Sequence, residues 1–184
     1  MVSIKLSNKK IDEISTPALI MFQTSEQYDL FSTGTWIDEH VLKSKNDFKA
    51  DLGNVIVEYT DKSAERIIIV GLGKDKDFKL HNIRKATNAA IQKLRELKVS
   101  EAAISFPCLN GQDSQEIAKA ITQVTILGNY QWNKFITKED KKKIDLEEIT
   151  IIKENFDEIQ KIVEETTTMC KGTCFARDLQ NERA

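Results

Sequence analysis

The run Arg66–Leu72 (RIIIVGL) constrains the fold of this chain more than any other segment. Its centre is an unbroken series of β-branched residues, and glycine follows at Gly71 and Gly73. A continuous apolar run of this length is typical of a strand that is buried on both faces of a sheet. The sequence therefore predicts a central strand here, with other elements covering both of its faces.

Other segments alternate between short strand patterns and longer helix patterns. Asn54–Tyr59 (NVIVEY) alternates with period two, as a half-buried strand does. The remaining predicted strands are Val2–Leu6, Ala18–Gln23, Ala102–Phe106 and Glu148–Lys153. Short strands interleaved with helices predict an α/β fold.

Three stretches carry apolar residues at helical spacing. The first lies between Leu80 and Lys98, and a shorter, less regular helix is expected at Trp36–Lys43. The second begins with Asp113-Ser-Gln-Glu116, which is similar to a capping box, and the third begins with Asn155-Phe-Asp-Glu158, a similar start. The second helix is predicted to bury one stripe, formed by Ile117, Ile121, Val124 and Leu127.

The order of these elements predicts a three-layer α/β/α sandwich with helices on both faces of the sheet. Little helix separates the first strands, so we expect a mixed sheet rather than a purely parallel one. The length of 184 residues suits a single domain of ordinary size.

Composition narrows the classes of function. The chain has 27 Lys+Arg against 29 Asp+Glu, and a net charge of -2 argues against general nucleic-acid binding. No apolar run approaches a membrane span of about 20 residues, and the first residues do not form a secretory signal. Three cysteines without framework spacing favour a reducing compartment, so we expect a soluble cytoplasmic protein. The charge cluster Lys138–Lys143 is interpreted as a solvated loop.

The turn Val70-Gly-Leu-Gly-Lys74 is a candidate phosphate site, since it follows a strand and precedes a helix. The dinucleotide fingerprint requires a third glycine where this chain has Lys76. A glycine-permitted turn out of the sheet is therefore favoured.

Metal ligands and nucleophiles are sparse. The two histidines, His40 and His81, lie in unrelated stretches, and the side chains of Asp38-Glu39-His40 diverge on a helix. Cys170 and Cys174 share a helix face and are interpreted as small buried hydrophobes. Cys108 ends a strand, but no histidine lies near it in sequence.

Four motifs, taken in order, resemble the N-terminal domain of the leucyl aminopeptidase family of two-metal exopeptidases. Cys174–Asn181 (CFARDLQN) is similar to the segment that closes that domain after a long helix, and Arg177–Asn181 is its most telling part. Ile69–Lys74 (IVGLGK) and Ile83–Ala86 (IRKA) resemble its central strand and the helix that follows. Tyr130–Phe135 (YQWNKF) resembles the aromatic stretch before its last strand.

The resemblance implies a fold similar to macro domains and a division at the end of the chain. Residues 1–176 would be the N-terminal domain, and residues 177–184 would begin the junction to a C-terminal catalytic domain. The junction residues would be Arg177, Asp178, Leu179 and Asn181.

The family resemblance places two metals, zinc or manganese, in the catalytic domain of the parent protein. No catalytic, cofactor-binding or metal-binding residue is carried over to this chain, which is expected to be inactive alone. The parent would be a cytoplasmic hexamer that removes N-terminal residues from peptides, with no nucleic-acid or membrane partner.

Two other functions stay open. A macro-domain-like module could bind ADP-ribose or a related nucleotide at Gly71–Lys74, although that requires a longer glycine-rich loop. Nucleic-acid binding would require a basic stripe, which the charge balance disfavours.

Overall fold

Six strands form one sheet in the part of the chain that the structure, a computed structural model, describes: residues 1–26, 48–109, 111–132 and 146–182. The strand order is β1-β6-β5-β2-β4-β3. The strands are β1 (Ser3–Ser7), β2 (Leu19–Gln23), β3 (Val55–Tyr59), β4 (Arg66–Gly71), β5 (Glu101–Ser105) and β6 (Glu148–Ile152). Each lies within one residue of its predicted position.

The sheet is mixed because β3 runs antiparallel to β4, whereas all other neighbours are parallel. The predicted α/β class and mixed sheet are confirmed. β4 is an interior strand, since β2 and β3 pair with its two edges, and its residues Ile67–Gly71 are all buried. It is not in the middle of the sheet, where β5 and β2 lie, because the hairpin partner β3 forms the edge beside it.

Within the described residues, three α-helices pack on the sheet: α1 (Leu80–Glu96), α2 (Ser114–Gly128) and α3 (Asp157–Asn181). α2 contacts both other helices, α1 contacts β3 and β4, and α3 contacts β1. Alternate strand residues such as Ile20, Ile68 and Ile104 join the apolar faces of all three helices in one core. The described helices therefore cover one face of the sheet.

The opposite face carries a smaller core. Leu19, Ile67 and Ile69 point to this side and pack with Phe48 and Ala50. A 3-10 turn at Ile11–Glu13 contributes Ile11 to the same cluster. The predicted helix Trp36–Lys43 and the cluster Lys138–Lys143 lie outside the described residues.

Helix ends and buried stripes differ in detail from the prediction. Asp113 caps α2 as expected, because its carboxylate accepts a hydrogen bond from the amide of Gln115 at 2.8 Å. The cap predicted at Asn155 is wrong: the cap residue of α3 is Phe156, one residue later, and it makes no side-chain cap hydrogen bond. In α2, Val124 and Leu127 are only partly buried while Ile126 is buried, because a helix with two helical neighbours buries more than one stripe.

Candidate functional site

The Gly71–Lys74 turn uses its own backbone amides within the fold. The amides of Gly71, Leu72 and Gly73 donate to carbonyl oxygens elsewhere in the chain at 2.8–2.9 Å. Gly73 has a φ of 82°, which confirms a turn that favours glycine. An amide cradle for phosphate requires N–H groups that point at the ligand, and these three are already engaged.

A carboxylate of this chain engages the amide of Asp75, the residue that follows the turn. The amide of Asp75 donates to a carboxylate oxygen of Glu26 at 2.9 Å. That hydrogen bond, helped by the charges of Lys74 and Lys76, lowers the pKa of Glu26 below its ordinary value. The charge that a phosphate would supply here already comes from the protein, so the turn is structural.

The other predicted candidates do not come together into a catalytic group. His81 and Cys108 are exposed, and His40 lies outside the described residues. Cys170 and Cys174 are buried as predicted, and burial raises the pKa of each thiol, which favours the neutral form over the metal-binding thiolate. Across residues 1–26, 48–109, 111–132 and 146–182, no three His, Cys, Asp or Glu side chains are grouped to hold a metal.

The predicted junction residues converge on one aromatic side chain, Tyr130, just after α2. The Tyr130 hydroxyl donates to the carboxylate of Asp178 at 2.8 Å and accepts from the side-chain amide of Asn181 at 3.3 Å. The guanidinium of Arg177 lies over the tyrosine ring, 5.4 Å from its centroid. It also donates to the backbone carbonyl of Leu127, the penultimate residue of α2, at 3.4 Å.

We call Tyr130, Arg177, Asp178 and Asn181 the tyrosine cluster. It joins the last turns of α3 to the end of α2 through one face and the hydroxyl of the Tyr130 ring. Partial burial, followed by the bond to Asp178, raises the pKa of Tyr130. A cavity of about 290 Å³ lies beside the cluster, with Tyr130, Cys174 and Asp178 in its wall.

The fourth predicted junction residue points elsewhere. Leu179 is 56% exposed, so it does not take part in the tyrosine cluster. In the sequence, Tyr130 and Arg177–Asn181 belong to two separate motifs, and their contact was not predicted. Tyr130 and Asp178 lie 48 residues apart, so no periodic signal in the sequence joins them.

Replacing Tyr130 with Phe tests the cluster. The ring remains under Arg177, but Asp178 and Asn181 lose their shared partner, so we expect a lower melting temperature and faster amide exchange in the last turns of α3. Tyr59→Phe is the matched control, since Arg66 lies 5.7 Å from that ring and Tyr59 is 64% exposed. Equal effects of the two changes would contradict the structural role of the Tyr130 hydroxyl.

The pH dependence of stability gives this experiment a second readout. Because the pKa of Tyr130 is raised in the folded protein, the unfolded chain releases that proton first, and stability falls as pH rises past the ordinary value of 10.0. The Tyr130→Phe protein should lose less stability over that range than the native protein. Thermal melts between neutral and strongly alkaline pH measure the difference.

Solved structures with the same fold are known, at low sequence identity. A mutant of tomato leucine aminopeptidase superposes over 100% of this chain and 39% of its own, with a TM-score of 0.76 and 19% identity. The bottromycin maturation enzyme BotP covers 91% of this chain and 33% of its own, with a TM-score of 0.69. These similarities show a shared α/β fold with a mixed sheet.

Sequence comparison then gives the family. Residues 24–139 match the N-terminal domain of the cytosol aminopeptidase family, and this chain belongs to that family. A probable cytosol aminopeptidase of Sulfurihydrogenibium sp. (strain YO3AOP1) is 29% identical over 100% of this chain and 38% of its own length. Another, of Clostridium perfringens, is 30% identical over 79% of this chain and 30% of its own. The chain therefore spans well under half of these curated relatives.

Proposed function

We propose that this chain is the non-catalytic N-terminal domain of a cytosol aminopeptidase, whose chemistry lies in a separate C-terminal domain. The observation that carries the proposal is the convergence of Arg177, Asp178 and Asn181 on Tyr130. These contacts hold the end of α3 in a defined direction. Family membership and the short coverage of the longer relatives support the same reading.

The tyrosine cluster suits a junction. We place residues 1–176 in the domain and residues 177–184 at the start of the connection. α3 continues without interruption to Asn181. A rigid helix that is anchored at its last turns would transmit a fixed orientation to whatever follows, which a flexible linker could not do.

The metals of the parent do not fit the described residues of this chain. Two-metal sites place ions about 3.5–4 Å apart and need several grouped ligands, and the described residues offer no such group. We assign zinc or manganese to the C-terminal domain of the parent, together with peptide binding and the removal of N-terminal residues. We further propose a cytoplasmic location, as the name of the family suggests, and a hexameric parent to whose assembly this domain contributes. No helix in the described ranges is long and apolar enough to cross a membrane.

An activity assay tests the proposal. The purified chain, incubated with Zn²⁺ or Mn²⁺ and a leucine-anilide substrate, should show no turnover above the metal-only blank and retain no stoichiometric metal after dialysis. The reason is that the described residues contain no group of side chains that could hold a metal ion. Joining the chain to the rest of the Sulfurihydrogenibium relative should give metal-dependent hydrolysis, and light scattering of that fusion reports its assembly.

His81→Ala provides the control for residual activity in the chain alone. His81 is exposed on α1 and has no ligand partners grouped with it, so the change should alter nothing. Hydrolysis that survives repurification and disappears in His81→Ala would overturn the non-catalytic assignment.

A further inference from the structure

The side of α3 that points away from the sheet changes character along its length. Towards the start it carries the charged residues Lys161, Glu164 and Glu165. From Thr168 onward it carries Thr168, Gly172, Phe175 and Leu179, which follow each other at intervals of four, three and four residues and therefore share one side of the helix. We call these four residues the outer face.

The outer face is mostly apolar, and its two large side chains are exposed. Phe175 is 61% exposed and Leu179 is 56% exposed, and both are among the most exposed large hydrophobic side chains of the described residues. The Thr168 hydroxyl donates to the backbone carbonyl of Glu164 at 3.0 Å, so its hydrogen-bonding capacity is met within the helix. The outer face therefore offers few free hydrogen-bonding groups to solvent, although its large apolar side chains are exposed.

Gly172 adds an observation of a different kind. A helix is less stable with glycine than with alanine in its interior, because the glycine backbone loses more conformational freedom on folding. A Cβ placed on Gly172 would meet nothing within 4 Å, so the packing of this chain does not require glycine there. A glycine in this position allows another segment to approach the helix backbone closely.

We propose that the outer face docks against the domain that follows this chain in the full-length protein; this inference rests on the proposed function. Leu179 lies within the last turn of α3, which ends at Asn181, so a following segment leaves the helix beside this face. The tyrosine cluster holds the same turns against α2 from the opposite side. The last turns of α3 would thereby be sandwiched between α2 of this domain and the domain that follows.

The length of the relatives supports this occupant. The chain spans 38% of the Sulfurihydrogenibium protein, so a larger part of that protein remains to be placed next to the matched domain. A domain attached directly to a rigid helix stays close to it, which makes its effective concentration at the outer face high. Modest apolar burial then suffices to keep the two domains in contact.

Hydroxyl-radical labelling read by peptide mass spectrometry tests the docking without changing the protein. In the 184-residue chain alone, Phe175, Leu179 and Met169 should all be labelled. In the fusion to the rest of the Sulfurihydrogenibium relative, labelling of Phe175 and Leu179 should fall several-fold. Met169 is the matched control: it is 57% exposed on the same helix but about a third of a turn away from Phe175, and it should stay labelled.

The outcomes separate the docking from the proposed function. An active fusion in which Phe175 and Leu179 stay fully labelled would overturn the docking and leave the function standing. An inactive fusion with both residues protected would support the docking and contradict the function. Protection that appears in the chain alone and grows with protein concentration would assign the face to a second copy and overturn the inference.

A double substitution gives an independent test. Phe175→Ser with Leu179→Ser should leave the melting temperature of the chain alone nearly unchanged, since both side chains are exposed there. The same pair should lower the melting temperature of the fusion, whereas Met169→Ser should not. Equal melting of the native and doubly changed fusions would overturn the docking.

Discussion

Ile68→Asp is expected to abolish folding of the domain. Ile68 is fully buried in β4, between Ile20 of β2 and Val57 of β3. Removing its side chain costs about 2–5 kcal/mol, and an unpaired buried carboxylate adds several kcal/mol more. The sum is comparable to the whole stability of a typical domain, which is about 5–15 kcal/mol. Circular dichroism should show no cooperative thermal transition.

Two milder changes at the same position serve as controls. Ile68→Val removes one methylene group and should cost only about 0.5–1.5 kcal/mol, leaving a cooperative melt. Ile68→Asn has the volume of aspartate without its charge, so the difference between Asn and Asp isolates the charge. A cooperative melt of Ile68→Asp near the native temperature would show that β4 is not the buried strand described above.

The strands could be predicted because burial alone decides their pattern. The apolar core of Arg66–Leu72 and the three isoleucines of Glu148–Lys153 both lie in strands of the structure. The position of β4 in the sheet could not be predicted, because strand order depends on pairings between distant residues. The edge strand β3 belongs to a hairpin with β4 and displaces it from the centre. The apolar pattern of a segment indicates that the strand is buried but does not indicate which strands pair with it.

In the candidate site too, local features could be predicted from the sequence, whereas contacts between distant residues could not. Three residues of the motif ending at Asn181 contact Tyr130, whereas its role as a junction stays a prediction. Their partner Tyr130 lies 48 residues before Asp178, which helical periodicity cannot bridge. Leu179 belongs to the same motif and yet faces solvent, because neighbouring residues on a helix point about 100° apart. A contiguous motif thus contributes to two surfaces of α3.

The close approach of residues 50–54 to the end of β4 also depends on distant parts of the chain. The amide of Gly71 donates to Asn54, and its carbonyl accepts from the amide of Gly53, both at 2.9 Å. Ala50 lies against the same strand end and adopts a left-handed conformation, with φ of 52°. This segment crosses β4 at backbone contact, and a side chain at position 71 would lie between the two backbones.

Gly71→Ala should therefore be strongly destabilising, although it adds a single methyl group. The new Cβ would overlap the backbone carbonyls of Ala50 and Asp51. Because the overlapping atoms belong to the backbone, rotation of a side chain cannot relieve the clash. Adding a group to a well-packed site costs about 3 kcal/mol or more in the most severe cases. For a domain of this size, that corresponds to a fall in melting temperature of roughly 6–12 °C.

Gly172→Ala is the matched control for Gly71→Ala, because it adds the same methyl group where nothing lies within 4 Å. Alanine is favoured over glycine in a helix interior by about 1 kcal/mol, so this variant of the isolated chain should melt above the native protein. The two alanine variants are thus expected to shift the melting temperature in opposite directions. Thermal melts of both, recorded side by side, measure the shifts. A native-like melt of Gly71→Ala would mean that residues 50–54 do not cross β4 at backbone contact, and the packing of the second sheet face would need a different account.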